Sequence, residues 1–489
     1  MDSCDTLVLT SKITANKQNT LCKNSDRPLG EAQPLCFYER SEGKYAVLGS
    51  RPYWMDGFEM GANEKGLFIG NEAEGSRMPK ETEEGITGMA MLRSALEKAA
   101  AAREAIDVIA DLLKEHGQNA NAHPTMDRRY ENTFILCDPE EAWVMETAGR
   151  EWAARKIEDF AAVSNCYQIT DDYDLCSEGM EQLVTENRWL RPGEKINFAK
   201  AFTAPADRQR NSVARMRRMQ KLVIEKLYGA AAPPEVTGAG TAAPMEMNGS
   251  GGGALQEIPG AGNTAPADRL DVKDMQKIFR DHFEGELNGP RFGSCYGNFT
   301  TICMHALTGG IDSSQTAAGM IMSYDERWKF KFLWAAGLPC LSVYIPLYWV
   351  DPEKKPMKVP ECMSLGGEKY DPASLWWTME HLSALVSVDE EQFGMPVRES
   401  LRKLEKGFEA QAEEAEEEAE EMIDCGNKLG AAKRLNQLTE SCAGMLLQTA
   451  QMLTAILTMK IARAGGLYGP RKELLEDYMT RTGIPMDFT

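Results

Sequence analysis

Cys4-Asp5-Thr6-Leu7-Val8 puts a thiol at the head of a run of strand-forming residues. That strand is predicted over 5–10, with further short strands at 21–24, 45–50 and 67–71. A cysteine in this position acquires a chemistry of its own if Met1, Asp2 and Ser3 are lost. A free α-amino group titrates at about 8 and a thiol at about 8.5, so a single terminal residue holds both nucleophile and proton acceptor, and no histidine is needed. By position alone, Cys4 reads more readily as one of twelve scattered thiols. Its company decides between the two readings.

Outward from that stretch, apolar residues at Leu92, Ala95, Leu96, Ala99, Ile106, Ile109, Leu112 and Leu113 predict an amphipathic helix over 88–116, closed by Gly117. Strand signals return at 133–137, 142–146, 151–156 and 161–164, a meander with turns at Asp138-Pro139 and Gly149. Between Gly229 and Asp268 the composition shifts to Ala, Gly, Pro and Thr, which cannot bury enough apolar surface to order itself. A disordered low-complexity insertion is predicted there. A helix over 272–283 follows, then strands at 299–304, 315–323 and 341–349, and then long helices at 372–385, 392–425 and 438–464. The glutamates from Glu413 to Glu421 read as a solvated face. The apolar helix at 438–464 is expected to dock on its own domain, with a second copy of the chain as the other candidate partner. Strands on both sides of a helical block suggest an α/β sandwich with helices outside antiparallel sheets.

Hydrophobic residues make up 43% and charged residues 26%, values of a soluble globular chain. The net charge of -20 argues against a general nucleic-acid partner. No run of eighteen apolar residues is available to span a bilayer, and Met1-Asp2-Ser3-Cys4-Asp5 lacks the basic and apolar regions of a signal peptide. The expected location is cytoplasmic, with free thiols. There is no CxxC pair, and His116, His123, His282, His305 and His381 show no HExxH spacing, so neither a metal nor a cofactor is expected.

Cys4-Asp5-Thr6-Leu7-Val8 is followed by Lys23-Asn24-Ser25-Asp26-Arg27, Ser50-Arg51-Pro52, Gly61-Ala62-Asn63-Glu64-Lys65-Gly66-Leu67 and Ile69-Gly70-Asn71-Glu72-Ala73. Then come Gly88-Met89, Gly117-Gln118, Glu141 to Gly149, Trp152-Ala153-Ala154 and Ser164-Asn165, and beyond the insertion Thr301 to Ala306 and Gln315 to Met320. In this order the motifs resemble the secernin and dipeptidase A family of cysteine-type N-terminal-nucleophile hydrolases, over residues 4–350 apart from the insertion. The resemblance implies a four-layer αββα sandwich for residues 4–350, a propeptide at 1–3, and a C-terminal helical extension over 351–489. It also implies hydrolysis of linear amides, in short peptides, through a thioester on Cys4.

Roles then follow by position. Asp26 matches the carboxylate that holds the terminal amine. Lys23 stands where more distant relatives carry arginine, a cation that favours thiolate. Asn71 and Asn165 match two asparagines that line the oxyanion hole. Arg210 stands near the place of a late family arginine, with Arg208 an equal match. Glu146 and His305 recur in the resemblance and read as core hydrogen-bonding residues. Two other functions stay open: hydrolysis of other linear N-acyl amides, and a non-catalytic, secernin-like regulatory protein linked to exocytosis.

Overall fold

The computed structural model describes residues 4–488 except 80, 192–193, 204–209, 230–267, 287–300, 307–313, 352–356 and 470. The segments expected to be a propeptide and a disordered insertion thus fall almost wholly outside the described residues.

In chain order the elements are β1 (Asp5–Leu9), β2 (Thr20–Pro28), β3 (Leu35–Tyr38), β4 (Val47–Ser50), β5 (Met60–Asn63), β6 (Phe68–Glu74), α1 (Gly88–Lys98), α2 (Ala102–His116), β7 (Glu131–Cys137), β8 (Ala142–Ala148), β9 (Glu151–Lys156), β10 (Phe160–Ser164) and β11 (Leu175–Cys176). They continue as α3 (Met180–Glu186), α4 (Phe198–Phe202), α5 (Arg210–Tyr228), α6 (Val272–Ile278), β12 (Ser314–Asp325), β13 (Lys329–Ala336) and β14 (Ile345–Val350). The C-terminal part holds α7 (Glu361–Ser364), α8 (Leu375–Val386), α9 (Glu390–Asp424), α10 (Lys428–Arg463) and α11 (Lys472–Thr482). The strands form two sheets, ordered β10-β1-β2-β12-β13-β14 and β11-β9-β8-β7-β6-β5-β4-β3. The pairing within both is antiparallel.

Strand alternation builds the layers. In β1, Val8 joins Leu21, Phe68, Ile135 and Met320 in the core between the sheets, whereas Leu7 and Leu9 face Met219, Val223 and Leu227 of α5 and Met275 and Ile278 of α6. On the outer face of the second sheet, Ile69, Phe134, Leu136 and Met145 pack against Leu92, Leu96, Ile106 and Ile109 of α1 and α2. The order from outside to outside is helices, sheet, sheet, helices: the expected αββα sandwich. Burying each of these large side chains is worth about 1.5–3 kcal/mol, and edge-on ring contacts such as Phe68 to Phe332 at 6.1 Å lock the two sheets in register.

Several local expectations are corrected. The helix predicted over 88–116 is two helices, because side chains replace its internal bonds at the join. Asn63 Nδ2 donates to the Leu96 and Ala99 carbonyls, and the Ala102 amide donates to Asp138 Oδ2 at 2.7 Å. β3, β5, β11 and β13 were not foreseen: the first three are four residues or shorter, and β13 is eight residues long. Residues 301–306 form no strand, since their bonds go to turns and to Thr316. The strand expected over 341–349 starts as a 3-10 turn, Pro339–Leu341, and only then becomes β14.

The C-terminal helices close the far edge of the first sheet. α10 packs on α8, α9 and β14, as docking on its own domain requires. By length and composition alone it would also pass for a membrane-crossing helix, as the core helix of a globular domain can, while its apolar residues nowhere run eighteen in a row. The acidic face of α9 is not wholly solvated: Glu416 accepts from the Tyr348 hydroxyl and from Lys331 Nζ, both at 2.5 Å.

Candidate active site

Cys4 lies directly before β1, on the side of the strand that carries Thr6 and Val8, and is buried. The pairings Asp5↔Ser164 and Asp5↔Asn24 are the last in the β1 ladders, so the Cys4 amide has no strand partner. The side chain of Asn165 supplies one: its Oδ1 accepts from the Cys4 nitrogen at 2.8 Å. The thiol rests on the main chain of β2, where the Asp26 amide donates to Sγ at 3.3 Å.

Three buried layers of charge surround the cysteine. On the inner face, Lys23 Nζ donates to the Asn71 carbonyl and lies 3.6 Å from Glu72 Oε1, which also accepts from the Thr6 hydroxyl. On the outer face, Arg215 of α5 donates to Asp5 Oδ2 at 2.9 Å, to Ser164 Oγ at 2.8 Å and to Asn165 Oδ1 at 2.9 Å. Along β2, Asp26 Oδ1 accepts from Thr316 Oγ1 at 2.6 Å, while the buried Oδ2 has no hydrogen bond.

Burial sets the protonation of this cluster. It pushes the Cys4 thiol well up, against the pull of the Lys23 ammonium, and Glu72, Glu59 and Asp26 add to the rise. Burial works against the Lys23 cation, but Cys4, Glu72 and Glu59 together hold its pKa above the usual value. Asp26 is pushed well up by burial and then by Asp5. Glu72 is raised to about 8 by burial, with Lys23 opposing. Asp5 is raised to about 6 by burial, with Arg215 opposing.

The structure therefore brings Cys4, Lys23, Asp26 and Asn165 together. It treats the other expected residues differently. Asn71 sits in the right strand, but β6 alternates, and Gly70 and Glu72 take the inner face. Its amide lies on the α1 side among Met89 Sδ, Asn132 Oδ1 and Glu59, with Nδ2 best turned to the Glu59 carbonyl at 3.1 Å. Asn165 presents its carbonyl oxygen to Cys4, and its Nδ2 donates to the Ala73 carbonyl at 2.8 Å. Arg210 is the first residue of α5 and its side chain lies outside the described residues, as does all of Arg208. Among the described residues the arginine at the site is Arg215, which the sequence motifs did not indicate. The available signal was its place in the inward stripe of α5 with Ser212, Met216, Met219 and Val223. Glu146 accepts from the amides of Gln168 and Ile169, a core role as expected.

Comparison with known proteins adds to this geometry. Three solved structures show low-identity likeness. The Caenorhabditis elegans ortholog of N-acylethanolamine-hydrolyzing acid amidase is 13% identical, over 33% of this chain and 70% of its own, with a TM-score of 0.25. Two variants of the conjugated bile acid hydrolase of Clostridium perfringens are each 14% identical over 68% of this chain, covering 88% and 89% of theirs, with TM-scores of 0.31 and 0.33. The model of peptidase family C69 matches residues 39–402. On a match of that extent the chain belongs to peptidase family C69, the dipeptidase A and secernin family of cysteine-type hydrolases.

Proposed function

We propose that the protein is a cysteine-type dipeptidase or exopeptidase that cleaves short peptides through a thioester on Cys4. The observation that carries this reading is the capture of the Cys4 nitrogen by Asn165 Oδ1, beside a thiol that touches Asp26 and feels Lys23. The nitrogen is held as a terminal amine would need to be held.

Sγ attacks the Ser3 carbonyl, the Ser3–Cys4 C–N bond breaks as the nitrogen takes the thiol proton, and water hydrolyses the resulting thioester, which exposes the α-amine and restores the thiol. Asp26, whose Oδ2 has no donor, then receives the terminal ammonium, while Arg215 fixes Asn165 and so the nitrogen. In the catalytic cycle the amine takes the thiol proton, and Lys23 stabilises the thiolate. Sγ attacks the substrate carbonyl, and the tetrahedral intermediate collapses to a thioester as the leaving amine takes the proton back. Water, deprotonated by the same amine, hydrolyses the thioester and restores Cys4. Among the described residues the cysteines are free thiols, which suits work in a reducing cytoplasm.

The test pairs intact mass with a substrate panel. A chain beginning at Cys4 that cleaves dipeptides, and a Cys4→Ala variant with no turnover, support the reading. Turnover by a chain that retains Ser3, or undiminished turnover by Cys4→Ala, overturns it. Cleavage of N-acyl amides without free α-amino or α-carboxyl groups would keep the mechanism and change the substrate class.

A further inference from the structure

A second cluster of reactive side chains takes no part in the chemistry above. His282 follows α6, Cys303 and His305 precede β12, and Cys340 lies in the 3-10 turn Pro339–Leu341 between β13 and β14. All four are buried, and one ligating atom from each lies within 4.8 Å of every other. His305 Nε2 stands 3.2 Å from Cys340 Sγ, near the separation of about 3.5 Å that nitrogen and sulfur ligands take around tetrahedral zinc. The two imidazole rings meet edge to face, with centroids 5.2 Å apart.

The orientation of His282 is an independent sign. Its Nδ1 is 3.1 Å from Glu284 Oε1, whereas its buried Nε2 makes no hydrogen bond. A carboxylate on the outer nitrogen fixes the tautomer and leaves the inner lone pair for an ion, the arrangement usual in metal-bound histidines. Supporting bonds hold the segments in place. The Cys303 amide donates to the Asp281 carbonyl at 3.2 Å, and Arg280 Nε donates to the Pro339 carbonyl at 2.8 Å.

We propose that His282, Cys303, His305 and Cys340 bind one zinc ion. Two thiolates and two neutral imidazoles are a donor set that selects zinc over magnesium or calcium. Each thiol loses its proton to solvent as its sulfur binds, so a dication with two thiolates leaves the buried site uncharged. Sequence spacing concealed the set because its ligands come from three separated segments, and Cys303-Met304-His305 alone matches no familiar pattern.

The ion ties those segments behind the nucleophile. Met304, between two ligands, donates its amide to Thr316 Oγ1 at 2.9 Å and accepts from the Thr316 amide at 2.8 Å. Thr316 Oγ1 donates in turn to Asp26 Oδ1. The site thus has a structural role, holding the strand that carries Asp26.

The test uses the untagged full chain, produced with added zinc and dialysed against metal-free buffer. Metal analysis should find about one zinc per chain, released when a mercurial reagent blocks the thiols. Cys303→Ser and Cys340→Ser should lose it, whereas Cys442→Ser, at a buried thiol elsewhere, should keep it. If the ligand variants fail to fold, X-ray absorption of the parent still decides, because it should show two sulfur and two nitrogen neighbours at about 2.3 and 2.0–2.1 Å. A folded parent that holds no zinc after reconstitution, a disulfide between Cys303 and Cys340, or a zinc shell without sulfur overturns the proposal.

Discussion

Replacing Arg215 with methionine should destabilise the protein by an amount that grows with pH, because the charge it removes is matched to Asp5. Asp5 keeps its proton up to about 6 in the fold and up to about 3.9 in the unfolded chain. Between those values the folded state binds more protons, so stability falls as pH rises, and the fall stops once Asp5 ionises beside Arg215. Without the guanidinium the buried carboxyl loses its paired cation, of the cations only Lys23, with a weaker pull, still opposes burial, and it stays protonated well above 6. The parent then loses nothing more from this group, whereas the variant loses about 1.4 kcal/mol for each further pH unit. From pH 5.5 to pH 8 the cost of Arg215→Met should therefore grow by about 3 kcal/mol. A further cost common to both pH values comes from its hydrogen bonds to Ser164 and Asn165, about 1.5–3 kcal/mol each for bonds from a charged donor. Urea unfolding of parent and variant at the two pH values measures both parts, and Asp5→Asn is the control in which the pH-dependent part should shrink to the smaller share from Asp26 and Glu72, which also feel Arg215. Equal costs at the two pH values, or an undiminished slope in Asp5→Asn, would refute the pairing.

Other expected outcomes rest on separate features. Glu380 accepts from Gln315 Nε2 and from the Tyr478 hydroxyl and is raised to about 7 by burial, so its contribution is complete below about pH 4.5 and declines as pH rises to 7. Glu380→Gln should remove that decline, gaining about 3 kcal/mol on the parent between pH 4.5 and pH 8 in thermal or urea unfolding. A side chain at Gly88 would place Cβ 1.8 Å from Asn132 Oδ1. Gly88→Ala should thus cost about 1–3 kcal/mol in urea unfolding and disturb the amide of Asn71, which lies beside Asn132.

What the sequence made legible follows from how local each signal is. Cys4, Lys23 and Asp26 stand in compact motifs on two adjacent strands, and the ladder between β1 and β2 brings them together without help from distant elements. Asn71 lies in an equally compact motif, but its role depends on strand parity. Phe68 packs between the sheets while Ile69 and Phe134 pack under the helices, and one residue's shift in parity moves a side chain through the sheet. Arg215 was hidden among the arginines at the start of α5, where only the inward stripe separates a buried cation from solvated ones. The break between α1 and α2 was invisible for a different reason. Alanines at 99–102 favour helix by propensity, and the bonds from Asn63 and Asp138 that override it come from distant strands.

The cost of the site bears on what it is for. Asp5, Lys23, Asp26, Glu72 and Arg215 are each at most 1% exposed, and buried ion pairs of this kind are often no more stabilising than apolar residues of the same size. A sandwich core with Val8, Leu21 and Phe68 already in place has no folding need for them. Their arrangement follows the alternation of β1. Cys4 and Thr6 look towards β6, where Lys23 and Glu72 meet them, and Asp5 looks towards α5, where Arg215 meets it and reaches Asn165 as well. The inner and outer charge layers, with Asp26 between them on β2, converge on the thiol and nitrogen of Cys4, where a thiolate and an ammonium must each be held during turnover. Removing the charges together for apolar isosteres should leave a folded, no less stable protein, while removing one partner alone should not. That asymmetry is expected of a cluster kept for chemistry rather than for stability.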